Sequence, residues 1–381
     1  MKMRLPVGCL LCVLVFCLLP GVAAAQISPD YPQPDYADLE AAVNEVADYL
    51  GGLTEAGALR ELWESARNGE PVWDISLLWQ VIRAVCFQEL TAGLGIFSQL
   101  MVLSVFSLLV VHLGGREVAK LAQSVVWLAL LGIVLQAFRL AGDSCSEAIQ
   151  VMSGFVYALL PVLLTLLASL GAVSSVGVFN PVMLAAVSMA LHVCRSFVLP
   201  LLHISGALTV GGNLSPNLSM AGLARLSRDV AMGVFGIMLT LFSAVLGLLG
   251  LTGSVVDGLG MKAVKSASGI FIPIVGRTIA DVMDTVISTS LLLKNTIGVL
   301  GLMILLLICI LPAVKILVLS LMFRLASALA ETLGDVRLAA AYNALGGVVT
   351  MFFAVTAAAG IFFFFVVSIT IAMGNLTVAV R

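Results

Sequence analysis

From residue 91 onward the chain alternates long apolar runs with short polar interruptions. A membrane-spanning helix needs about 20 mostly apolar residues. Six stretches meet that length: 91–113, 121–141, 151–171, 229–251, 297–318 and 348–372. A seventh, 176–211, holds Arg195 and Pro200 within it. It reads either as one long tilted helix with an apolar tail or as two shorter helices forming a hairpin. The pattern therefore predicts an all-α fold, a polytopic transmembrane helical bundle of 7–8 spans. Loops are expected at Gly114–Lys120 and Gly142–Gln150, the first carrying Arg116 and Lys120, the second Asp143 and Glu147. Basic loops stay in the cytoplasm, so these two place the start of the membrane body outside. Beyond 176 the sides depend on the long stretch. If it crosses once, Arg225 and Arg228 fall outside while Lys262, Lys265, Arg277 and Lys294 fall inside; a hairpin reverses both.

Ahead of the first span the periodicity changes. Met1–Ala25 has the form of a signal peptide: Lys2 and Arg4, an apolar run over Val7–Leu19, and small residues at Ala23, Ala24 and Ala25. The alternative is an uncleaved first helix. Residues 26–90 form an acidic segment, expected to be a small helical extracytoplasmic cap. Leu39, Val43, Val46, Ala47 and Leu50 recur at helical spacing, Gly51 and Gly52 end that helix, and a second runs near Ala56–Arg67. Trp63, Trp73 and Trp79 approach the membrane body, where aromatic side chains favour the interface. Residues 91–381 are the multi-span membrane domain.

Composition sharpens this division. Hydrophobic residues make up 61% of the 381 and charged ones 10%, against about 45–50% and 25% in soluble domains. Twelve of the 21 acidic residues precede residue 91, whereas 14 of the 19 basic ones follow it. Of the seven cysteines, Cys9, Cys12 and Cys17 lie in the N-terminal apolar run and the other four (Cys86, Cys145, Cys194, Cys309) show no CxxC spacing, so they read as small apolar packing residues rather than zinc ligands or a disulfide framework. His192 and His203 read as packed or interfacial. No HExxH, GxGD or GxSxG pattern with a partner histidine occurs, and no GxxxxGK[ST] loop. The sequence offers no enzyme chemistry, no cofactor or metal site, and no basic stripe for nucleic acid. Work done through this chain would draw on another subunit or an ion gradient.

One segment concentrates polar residues on a single helical face. With Arg277 at zero and about 100° per residue, Asp281 falls near 40°, Asp284 near −20°, Ser288 near 20° and Asn295 near 0°. Two aspartates at a bilayer centre would cost about 5–7 kcal/mol, more than the apolar residues of this helix return. The stripe therefore faces a protein interior or an aqueous path, or the helix lies at the interface with its stripe in water. Lys294 borders it. Arg195 is the other ionisable residue deep in apolar sequence; it either snorkels from a helix end or belongs to a polar path. The candidate site residues are thus Arg277, Asp281, Asp284, Ser288, Lys294, Asn295 and Arg195.

Several stretches carry a resemblance. Phe155 to Gly171 includes Pro161, Thr165 and Ser169, and Asn180-Pro181 follows. The most specific run is Ile272-Pro273, Gly276-Arg277, Asp281, Asp284-Thr285, Leu293-Lys294-Asn295, Gly298, Gly301, Pro312 and Lys315. Together with the signal-like start and acidic head, these resemble the stage III sporulation protein AE family of endospore-forming bacteria, over nearly the whole chain. The resemblance implies a membrane subunit of a sporulation-specific channel or secretion complex. It implies residence in the mother-cell membrane around the forespore, and partners that include a secretion-type ATPase and ring-forming membrane proteins. It carries over no catalytic residues. The competing reading is an autonomous secondary transporter of a small solute, although Pro161 and Pro312 are not embedded in an internal repeat.

Overall fold

The computed structural model describes residues 36–50, 58–68, 75–113, 116–214, 220–271 and 275–380. The expected signal peptide, Gly51-Gly52, Trp73 and Ile272-Pro273 lie outside the described residues. The side chains of Arg277, Asp281 and Asp284 also lie outside them, although their backbone is helical. Among the described residues there is no strand. The helices are α1 (Ala37–Leu50), α2 (Ala58–Arg67), α3 (Ile75–Leu113), α4 (Arg116–Ser169) and α5 (Val173–Val193). A π-helical turn over Cys194–Val198 leads into α6 (Leu199–Leu214), followed by α7 (Ala221–Phe271), α8 (Val275–Thr332) and α9 (Val336–Val380).

The all-helical, polytopic reading holds, but among the described residues six stretches, rather than seven or eight, are long and apolar enough to cross a membrane: Trp79–Leu109, Ser124–Ser169, Ser174–Gly212, Ala221–Gly260, Ile287–Thr332 and Val336–Ala379. The difference arises at 142–150, where a loop was expected and α4 continues unbroken. Arg139, Asp143 and Glu147 recur every four residues on its exposed face, while Ala141, Gly142, Cys145 and Ala148 are buried. A polar face on an amphipathic helix thus looked like a loop in sequence. The stretch 176–211 is likewise one continuous helical path. Pro200 has no N–H to give the α-helical ladder, and just ahead of it Leu199 N–H bonds back to Cys194 O, five residues away.

Two reversals are built alike. At Gly171 (φ +89°), Ala172 N–H reaches Leu167 O at 3.4 Å, and at Gly334 (φ +90°), Asp335 N–H reaches Ala330 O at 3.1 Å. Glycine accepts the left-handed conformation that closes a helix this way. The first turn folds α4 against α5, and the second folds α8 against α9 in the most extensive pairing of the bundle. Small residues allow close approach between helices elsewhere in the bundle as well as in the α8–α9 pair. A Cβ at Gly301 would strike Leu159, one at Gly298 Ile371, and one at Gly142 the His203 ring.

The acidic head is docked rather than free. Leu39, Val43 and Val46 are buried, while Asp38, Glu40, Glu45 and Asp48 are exposed on the other side of α1. Tyr36 and Trp63 join α1 to α2 edge to face, with centroids 5.9 Å apart. α1 packs on α4 and α2 on α8. Burial pushes the Tyr49 phenol well above its usual range, and the nearby Glu147 carboxylate adds to the shift.

Candidate functional site

The described end of the polar stripe meets the interior at Lys294. This side chain is completely buried, and its Nζ donates to Ile371 O of α9 at 2.6 Å. Gly374, one turn further along α9, makes the room: a Cβ there would collide with Nζ and with Leu170. Among the described residues no carboxylate lies within ion-pair distance of Lys294. A lysine in such a place is costly, and its expected position is a functional path or a border where its head group reaches water. The adjacent Asn295 is half-buried, and its Oδ1 is buried without a hydrogen-bond partner. Ser288, two turns earlier, is exposed. The structure therefore brings Lys294 and Asn295 into the α8–α9 seam and leaves Ser288 on the outside.

Arg195 is elsewhere. It sits on the π-helical turn with its side chain exposed and, with Ser188, His192 and Ser196, lines an open hollow of about 710 Å³. It is not at a helix end, as one sequence reading had it, and it does not join Lys294.

Two buried polar groupings escaped the sequence reading. Asp257 of α7 is 7% exposed and accepts the Ser175 N–H at 2.9 Å, capping the start of α5. Ser175 Oγ beside it is buried without a partner. An acid inside the apolar run of α7 was the available signal. The second grouping joins Cys145 of α4, Cys194 of the π-helical turn and Cys309 of α8. The first two thiols are close neighbours, the Thr356 side chain lies beside Cys145, and Cys309 Sγ donates to Thr356 O at 3.9 Å. Spacings of 49 and 115 residues gave no hint of this convergence. Among the described residues no group of three or more His, Cys, Asp and Glu is placed to hold a metal ion.

Long apolar helices, glycine-lined seams and a buried lysine at the end of a polar helical face define a polytopic, all-helical membrane protein. The family is equally plain from comparison: the sequence profile of stage III sporulation protein AE matches residues 58–374, and the chain belongs to that family. It is similar to "Stage III sporulation protein AE" of Bacillus subtilis (strain 168), with 32% identity over 345 residues, covering 89% of this chain and 86% of that relative. No solved structure matches.

Proposed function

We propose that the chain is a membrane subunit of a sporulation-specific channel or secretion complex linking mother cell and forespore, required for late forespore development. The observation that carries this reading is family membership across residues 58–374. In this reading the protein sits in the mother-cell membrane around the forespore, after removal of a signal peptide ending near Ala25. It works with a secretion-type ATPase and ring-forming membrane proteins, because its own sequence holds no phosphate-cradling loop. It acts by forming or supporting a path and catalyses no reaction. The polar face of α8 from Arg277 to Asn295 lines or gates that path, with Lys294 at its inner edge. The burial of Lys294 and the half-burial of Asn295 at the described end of this face support the assignment.

The triple substitution Arg277→Gln, Asp281→Asn and Asp284→Asn tests the site. It should lower heat-resistant spore counts at least tenfold while abundance and membrane insertion stay normal. Normal sporulation at normal abundance would reduce the stripe to a solvated face. Solute uptake by the purified chain alone in liposomes would instead favour an autonomous transporter.

A further inference from the structure

We infer that the bilayer's hydrocarbon covers only one half of the bundle's height, between a border at Lys294 and Asp257 and a border at Glu147, Arg195 and Lys315. The other half stands outside the hydrocarbon on the side of α1.

The helices are too tall for one bilayer. α4 has 54 residues and α8 has 58, about 80 Å and 87 Å at 1.5 Å per residue, whereas the hydrocarbon core is about 30 Å thick. Where the slab falls is set by the charges. Five neighbouring helices are free of Asp, Glu, Lys and Arg over one shared zone: 148–170 in α4, 173–191 in α5, 230–256 in α7, 295–314 in α8 and 338–380 in α9. Contacts align these windows at one end. Gly374 meets both Lys294 and Leu170, Gly250 meets Ile369 and Met373, and Ser175 bonds Asp257. The window in α8 is closed at both ends by lysines, Lys294 and Lys315. Their separation of 21 residues is about 31 Å.

The far border is equally coherent. Gly142 meets the His203 ring and Gly206 meets Phe138, which sets Glu147 of α4 within about a turn of the level of Arg195. Tyr49 of the head is within electrostatic reach of Glu147, and Glu89 of α3 within that of Lys315. Arg83, exposed and six residues before Glu89 on α3, lies about 9 Å inside this border, a distance that its long side chain spans to reach the head groups. Arg195, at a border, needs no partner charge.

A slab over the other half fails. It would enclose Arg139, Asp143, Asp229 and Arg324, all exposed, and charges in hydrocarbon are disfavoured. It would also take in the α8–α9 tip, where Glu331 and Arg337 are exposed. Ser107 Oγ donates to Asp335 Oδ2 at 2.6 Å, which sets the apolar stretch 91–113 level with that tip. The two most regular spans of the sequence, 91–113 and 121–141, therefore do not cross the membrane. Five crossings remain, by α4, α5, α7, α8 and α9. They place α1 and the end of α9 on opposite sides, with Lys262, Lys265 and Arg277 on the α9 side and Arg116, Lys120, Arg225 and Arg228 on the α1 side, so the sidedness follows from the expected signal peptide and not from the loop charges.

The test uses the full chain in membranes from sporulating cells and does not depend on the proposed complex. A lipid-soluble diazirine probe is photolysed there, the chain is purified, and labelled peptides are mapped by mass spectrometry. Label should concentrate on exposed slab positions such as Leu184, Leu241, Leu248 and Ile361. Val102 and Leu128, just as open in the chain, should carry at least fivefold less. Equal labelling of Val102 or Leu128 overturns the placement. A cysteine added after Arg381 should resist an impermeant thiol reagent in intact protoplasts and react after lysis; reaction in intact protoplasts overturns the five-crossing topology.

Discussion

Lys294 Nζ donates to the backbone carbonyl of Ile371 at 2.6 Å, tying α8 to α9 through a fully buried cation. Methionine has nearly the same length and fills such a space without a charge. If Lys294 only packs, Lys294→Met preserves function. The proposed role at a path or border instead predicts normal abundance with spore counts reduced at least tenfold, and partial recovery with Lys294→Arg. Heat-resistant colony counts beside an immunoblot decide between these.

Asp335 holds two helices to the α8–α9 turn. Its Oδ1 accepts the Leu338 N–H at 3.0 Å as an N-cap, and its Oδ2 accepts the Ser107 hydroxyl at 2.6 Å. Loss of a cap costs about 1 kcal/mol, and loss of a hydrogen bond to a charged group about 1.5–3 kcal/mol. Asp335→Ala should therefore destabilise the detergent-solubilised protein by about 2–4 kcal/mol, read from its denaturation midpoint. Asp335→Asn keeps a capping oxygen and should recover roughly half. Equal midpoints for alanine and wild type would show that the turn is held by its backbone alone.

The α8–α9 seam is tight at Gly360, where an added Cβ would collide with Cys309 Sγ. Gly360→Ala should lower the thermal midpoint by several degrees, since overpacking typically costs about 1–3 kcal/mol. Removing the sulfur with Cys309→Ala in the same chain should restore most of the loss. Additive losses in the double variant would contradict the contact.

The head presents a direct check of sidedness. Glu64 on α2 is exposed, whereas Ser65 beside it is half-buried between Trp63 and Ala66. In a Cys86→Ser background, Glu64→Cys should react with a membrane-impermeant maleimide in intact protoplasts. Reaction only after lysis would place α2 in the cytoplasm and reverse the proposed topology.

How far the sequence carried depended on whether a feature was local. The helices were legible because apolar periodicity and run length are local properties. So was the head's amphipathic α1, through Leu39, Val43 and Val46. The continuity of α4 was not, since Gly142, Asp143 and Ser144 carry ordinary loop composition. They stay helical because Gly142 seats the His203 ring and Asp143 faces outward. Lys294 was flagged as a neighbour of the stripe, yet its burial depends on Gly374, 80 residues later. Cys145 and Cys194 meet because the chain reverses at Gly171, Cys309 joins them where α8 packs on α4, and the cysteine spacings carried no trace of either.

An unbroken α4 is also a lever. Its middle carries Glu147, near Tyr49 of the head, and its end carries Leu170, which touches the pocket that Gly374 leaves for Lys294. Between those points there are 23 residues, about 35 Å of helix. A loop at 142–150 would have absorbed a pull on the head within its own slack. A continuous helix instead carries that displacement along its axis, and Pro161, which has no N–H to give the ladder, is the point at which it bends.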